Sequence, residues 1–237
     1  MRYDSWNASV EENGRRMDYR SVSMIVCALG VAGLLAAERR ESQAGKWLTK
    51  PVASLAFIAV AVSAGAMATG YGRLIVLGLV LCLLGDVLLI PKDRPNVFRL
   101  GVLAFLCGHV AFAAAFLTQP LDLRWLAFAA VALGIVLWRV WRWVGPFLPL
   151  DMRVPVQAYF VVIASMSALA CAVTGAGATP LIAFGAIAFT ASDVSVARDR
   201  FVSPGFANRA WGLPLYYLAQ VLLALTPALQ AHTAQGG

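Results

Sequence analysis

Eight runs of 17–22 predominantly apolar residues leave this chain little choice of environment. They are Ser21–Ala37, Val52–Thr69, Gly72–Ile90, Leu100–Leu117, Leu123–Val144, Val154–Thr174, Thr179–Ala197 and Ala210–Leu229. A helix crosses the hydrocarbon core of a bilayer with about 20 apolar residues, and each run meets that length. Composition agrees, since 60% of the 237 residues are hydrophobic and only 13% charged, against about 25% charged in soluble domains. The expected fold is all-α: a polytopic integral membrane bundle of eight transmembrane helices. A polar N-terminal tail (1–20) precedes the helical domain (21–230), and a short C-terminal tail (231–237) follows it. Pro51, Pro91, Pro155, Pro180 and Pro214 fall near the ends of runs and read as helix punctuation.

The net charge of +7 would suggest nucleic acid in a soluble protein. Here it reads as basic loops facing an anionic leaflet, so no nucleic-acid partner is expected. Thirteen Lys and Arg lie in the connections after runs one, three, five and seven, whereas the opposite connections hold only Arg73 and Arg124. The N-terminal tail adds four arginines to the sparse side, diluted by four acids. This bias places the basic connections in the cytoplasm and both termini outside. Trp138, Trp141 and Trp143, beside Arg139 and Arg142, form an aromatic belt at that interface. The first twenty residues do not resemble a signal peptide. An Ala-rich chain without organelle signals is expected in a bacterial inner membrane. Cys27, Cys82, Cys107 and Cys171 all lie in apolar runs without CxxC spacing and read as buried hydrophobes, not disulfides or metal ligands.

Function has to be sought in the polar groups the runs carry. Asp86 lies near the end of the third run and Asp193 near the end of the seventh. An intramembrane Asp costs roughly 2.5–3.5 kcal/mol at a helix centre, and such residues usually face the bundle interior and act there. Tyr159, Tyr216, Tyr217 and Gln220 enter their runs from the same side. At 1.5 Å per residue, these groups share a depth one or two turns inside one membrane face. His109 is deeper, and its helical spacing with Phe105, Phe112 and Phe116 also fits a packed core residue. Ser192 points about 100° away from Asp193, so a Ser–Asp relay on one helix is not expected. Gln220 shares a face with Tyr216 and Tyr217. Asp86-Val87 aligns with Asp193-Val194 if helices one to four correspond to helices five to eight, a 4+4 internal repeat. The pattern leaves three chemistries open: acid/base hydrolysis by two carboxylates, a metal-dependent lipid hydrolase built on Asp86, His109 and Asp193, and a small proton-coupled transporter.

The same residues carry a resemblance. Lys50-Pro51, Gly85-Asp86 with Leu88-Leu89, Phe98 with Gly101, Phe105 and His109, Tyr159 with Met166, Ser192-Asp193 with Ala197 and Arg200-Phe201, and Tyr217 to Gln220 resemble, in order and spacing, the YhhN/TMEM86 family of lysoplasmalogenases. One departure is Val110-Ala111-Phe112, where that family's pattern leads one to expect a tyrosine after the histidine. The resemblance implies an eight-helix membrane hydrolase whose partner is a lysophospholipid in the bilayer. It would cleave the vinyl ether of a lysoplasmalogen to a fatty aldehyde and glycerophosphocholine or glycerophosphoethanolamine, with no cofactor and no metal. Protonation of the alkene carbon gives an oxocarbenium ion, so the chemistry needs one acid and one anion, the same logic glycosidases use. Asp86 and Asp193 are the expected catalytic pair. His109, Tyr159, Ser192, Tyr217 and Gln220 are the expected supporting groups, and Lys50 and Arg200 the expected phosphate ligands.

Overall fold

The computed structural model describes residues 2–91 and 93–233, with side chains over 18–91 and 93–230. Eight α-helices account for nearly all of them: α1 (Arg2–Arg39), α2 (Gln43–Ser63), α3 (Gly70–Leu88), α4 (Pro95–Leu117), α5 (Leu123–Val144), α6 (Leu150–Gly175), α7 (Leu181–Ala197) and α8 (Phe206–Thr233). No strand occurs among the described residues. Eight helical segments are long and apolar enough to span a membrane, the first being Asp18–Arg39. Helices suit that setting because every backbone group is satisfied within its own segment.

Sequence and structure differ at several helix starts. From Arg2 onward the polar N-terminal segment is part of α1 rather than a tail preceding it, and most of the expected C-terminal tail lies outside the described residues. Helix α2 begins at Gln43, not Val52, because Ser42 caps it, accepting the Gly45 N–H at 3.1 Å. Pro51 therefore lies inside α2, as Pro155 lies inside α6 and Pro214 inside α8. Neighbouring helices support the freed backbone groups that such prolines leave. The consequence for function is that Lys50 is a helical residue with a fixed direction, not a loop residue. At the opposite end of the bundle, Thr69 caps α3 and Asp122 caps α5 in the same manner.

The helices pack as four consecutive antiparallel pairs, α1 on α2, α3 on α4, α5 on α6 and α7 on α8. Small residues allow close approach: an added Cβ at Gly108 would lie 3.0 Å from Cys82 Sγ, and one at Gly185 would lie 3.0 Å from Leu223. The core between them holds Phe57, Phe112, Phe116, Phe189 and Tyr217. Phe128, Val131, Ile135 and Trp138 on α5, and Ile25 and Leu29 on α1, stay exposed. That is the surface a helix presents to lipid. Helix α8 packs on α1, α2 and α3, and α6 packs on α4 and α7. These cross-contacts bring α3 and α7, the helices bearing the two aspartates, around one cavity.

Candidate active site

A cavity of about 430 Å³ opens at the end of the bundle where α1, α3 and α7 finish and α2, α4, α6 and α8 begin. Its walls are apolar, with Phe98, Val102, Phe105, Val156, Phe160 and Leu213. Asp86, Asp193, Tyr159 and Tyr216 line its polar part. Both carboxylates placed at equal depth by the sequence thus face one space.

Asp86 is 2% exposed and fully engaged. Its Oδ2 accepts the Ser54 hydroxyl at 2.7 Å and the Tyr216 phenol at 2.7 Å, while Lys50 Nζ stands 3.2 Å from Oδ1. Lys50 and Ser54 are one turn apart on α2, so one helix face supplies both. Tyr217 is one step removed: its hydroxyl lies 3.3 Å from Ser54 Oγ and 3.4 Å from the Lys50 carbonyl. Asp193 accepts the Tyr159 phenol at 2.8 Å on Oδ2, and His109 Nε2 lies 3.6 Å from that oxygen. The His109 ring is completely buried, 4.4 Å from the ring of Phe189 and 5.3 Å from that of Tyr159.

The framing of the two acids follows a rule. Asp86, on α3, is held from α2 and α8; Asp193, on α7, is held from α6 and α4. Exchanging helices one to four with five to eight converts one set into the other, which is the correspondence a 4+4 repeat requires. The chemistry placed on that common frame differs between the two halves.

The other residues singled out from sequence are placed less centrally. Ser192 Oγ donates to the Phe189 carbonyl of its own helix at 2.7 Å. Gln220 is fully buried with its amide beside the Cys82 thiol, and it hydrogen-bonds neither acid. Lys50 is turned inward onto Asp86. Arg200 lies at the mouth with its guanidinium 4.2 Å above the Phe98 ring, and it joins no ion pair among the described residues. Ser54 and Tyr216 complete the Asp86 site.

The mouth itself is held together by ion pairs. Arg209 of α8 binds Asp199 at 3.0 Å and Glu38 of α1 at 3.1 Å. Asp199 also accepts the Gly205 N–H at 2.8 Å and the Asn208 amide at 3.2 Å. This fixes the π-helical turn Arg198–Val202 that presents Arg200. Among the described residues no three His, Cys, Asp or Glu side chains are placed to hold one metal ion, Asp86, His109 and Asp193 included, and Asp86 is already paired with the Lys50 ammonium.

The YhhN family model matches residues 45–226. The chain is 34% identical to lysoplasmalogenase TMEM86A of Bos taurus over 158 residues, 64% of this chain and 64% of that protein. It is 32% identical to lysoplasmalogenase TMEM86B of Sus scrofa over 180 residues, 74% of this chain and 71% of that protein. It is also 32% identical to a lysoplasmalogenase of Mycobacterium bovis over 179 residues, 71% of this chain and 66% of that protein. The chain therefore spans just under two thirds of the bovine and mycobacterial relatives. No solved structure matches it.

Proposed function

The chain belongs to the YhhN family, and on that footing we propose that it is an integral membrane lysoplasmalogenase that hydrolyses the vinyl ether of a one-chain ether phospholipid. The observation that carries this reading is the pair of carboxylates on one apolar-walled cavity, one or two turns inside the basic end of the bundle. A lysolipid's ether bond lies just below its headgroup, so a lipid entering from that end brings the bond to the acids. By the distribution of Lys and Arg, that end faces the cytoplasm and both termini lie outside.

The reaction follows from the groups present. A carboxylic acid delivers its proton to the alkene carbon remote from oxygen, and the electron pair of the double bond forms the new C–H bond. The resulting oxocarbenium ion is stabilised by the second, ionised carboxylate in a site of low dielectric. Water adds to the cationic carbon and gives up a proton, leaving a hemiacetal. Its C–O bond then breaks as the hydroxyl proton passes to the departing glycerol oxygen, which yields the aldehyde and the glycerophospho-alcohol. One water is consumed and both carboxyl groups return to their starting state. Arg200, without a carboxylate partner among the described residues and carried by the π-helical turn, is the proposed phosphate ligand. Lys50, bound to Asp86, serves as counter-ion to the acid rather than as a phosphate ligand.

The direct test uses purified protein in liposomes with three lysolipids of equal chain length: vinyl ether, saturated alkyl ether and acyl ester. Aldehyde release from the vinyl ether alone is expected, since only that bond yields an oxocarbenium ion on protonation. Cleavage of the acyl ester with no aldehyde from the vinyl ether rejects the proposal.

A related prediction concerns Gly85. An added Cβ there would stand 2.6 Å from the Phe105 ring. That ring packs edge-on against Tyr216 at 5.8 Å between centroids, and Tyr216 bonds Asp86. Overpacking costs about 1–3 kcal/mol, and here the displaced ring pushes on the Asp86 site. Gly85→Ala is expected to lower turnover about tenfold or more, the same free energy expressed as a rate. It should also lower the unfolding temperature, both measured on the purified variant.

A further inference from the structure

The two carboxylates share a frame but not their partners, and the difference separates their roles; this step rests on the two-acid reading above. Asp86 meets three donors: the Lys50 ammonium, the Ser54 hydroxyl and the Tyr216 phenol. An ammonium offers no acceptor, and both hydroxyls aim at Oδ2. A proton on Oδ1 would face the ammonium, and one on Oδ2 would require a hydroxyl that now donates to turn and accept. Three donors with one cation among them fit a carboxylate.

Asp193 accepts one hydrogen bond among the described residues, from the Tyr159 phenol. Its other polar neighbour is His109 Nε2, 3.6 Å from the same Oδ2. The opposite ring nitrogen, Nδ1, lies 2.7 Å from the Phe105 carbonyl oxygen. A carbonyl can only accept, so Nδ1 carries the hydrogen; the ring is completely buried, where a second proton and its charge are costly, so Nε2 presents its lone pair to Asp193. Lone pair against carboxylate repels; lone pair against a carboxyl O–H attracts. Access differs in the same sense, because Asp193 exposes 17% of its side chain and Asp86 only 2%. The group that protonates carbon has to touch it.

We infer that Asp193 is the proton donor, Asp86 the standing anion, and His109 the positioning residue that keeps the transferable proton on Asp193 between turnovers. Asp193 gives its proton to the alkene carbon and becomes a carboxylate. Asp86 remains ionised and stabilises the oxocarbenium ion. As water attacks, its proton returns to Asp193, which restores the donor. Tyr159 from α6 and His109 from α4 lie against Asp193, and Lys50 and Ser54 from α2 and Tyr216 from α8 lie against Asp86; Cys82 of α3 is close enough to feel both charges, and Cys27 of α1 and Tyr217 of α8 that of Asp86.

Infrared spectra of the full-length protein in liposomes near pH 7, in H₂O and D₂O, read this directly. A neutral carboxyl gives a C=O band that moves on deuteration, and a carboxylate does not. The expected result is such a band in the parent protein, lost in Asp193→Asn and kept in Asp86→Asn. Asp193→Glu, which keeps an acid, should move the band, and Asp86→Glu should leave it in place. Loss of the band in Asp86→Asn, or no such band in the parent protein, overturns the assignment. Aldehyde release measured on the same samples separates the two levels. If Asp193→Asn loses the band but keeps turnover, the two-acid mechanism fails while the protonation assignment stands.

Discussion

Asparagine at either Asp86 or Asp193 should reduce aldehyde release by about 10²–10⁴-fold, the usual worth of a positioned acid or base. The amide keeps the shape of the carboxyl group, so the Tyr159 phenol at Asp193 and the Ser54 and Tyr216 hydroxyls at Asp86 retain an oxygen to donate to. The loss should therefore fall on turnover and not on substrate affinity. Protonation of carbon requires the acid, and the cation that forms requires the anion. Neither group compensates for the other, so the double variant should be little slower than the worse single variant. Additive losses, each single variant retaining part and the double losing the product of both, would mean that the two carboxylates act on separate steps. Initial rates with vinyl-ether lysolipid on the three purified variants decide this. Near-parental turnover in either single variant removes the mechanism.

The two acids of the cavity are legible in the sequence because each interrupts an apolar run. Asp86 and Asp193 stand out because an acid in hydrocarbon is expensive and has to face the interior, and the eight spans follow from run length alone. Ser54 does not stand out. A hydroxyl in an apolar helix can satisfy itself on its own backbone, as Ser192 does on Phe189, so its presence says little. The available signal was spacing: Ser54 is one turn beyond Lys50, but only once both are on the same helix. Reading Pro51 as a boundary cut α2 short and hid that relation. Tyr216 and Tyr217 show a second limit. Adjacent residues point about 100° apart, and which of them meets Asp86 depends on how α8 is rotated against α2 and α3. The contact of His109 with Asp193 depends on how α4 and α7 lie against each other. No local pattern contains that information, although the position of His109 in a run of phenylalanines marked it as interior.

Removing Lys50 should cost stability before it costs anything else. Its ammonium and the Asp86 carboxylate are 3.2 Å apart, with 12% and 2% of their side chains exposed. Taking one partner from a buried pair leaves an uncompensated charge, a change of about 3–5 kcal/mol. The Lys50 side chain is not fully buried, so Lys50→Met should fall at the lower end, about 3 kcal/mol, read as a lower unfolding temperature in detergent. Turnover should fall with it, because the anion is then held by hydroxyls alone. Adding Asp86→Asn to Lys50→Met removes the stranded charge. Replacing both members of a buried pair is often nearly neutral for stability, so the double variant should regain most of the lost unfolding temperature while remaining inactive. A phosphate ligand would behave otherwise. Were Lys50 held for the lipid headgroup, Lys50→Met would raise KM, leave the unfolding temperature alone and show no coupling to Asp86. Arg200→Met should give that second pattern, since the Arg200 guanidinium rests on Phe98 at the mouth and joins no ion pair among the described residues. The two cations thus separate in a single comparison: stability for the one bound to the acid, affinity for the one facing the headgroup.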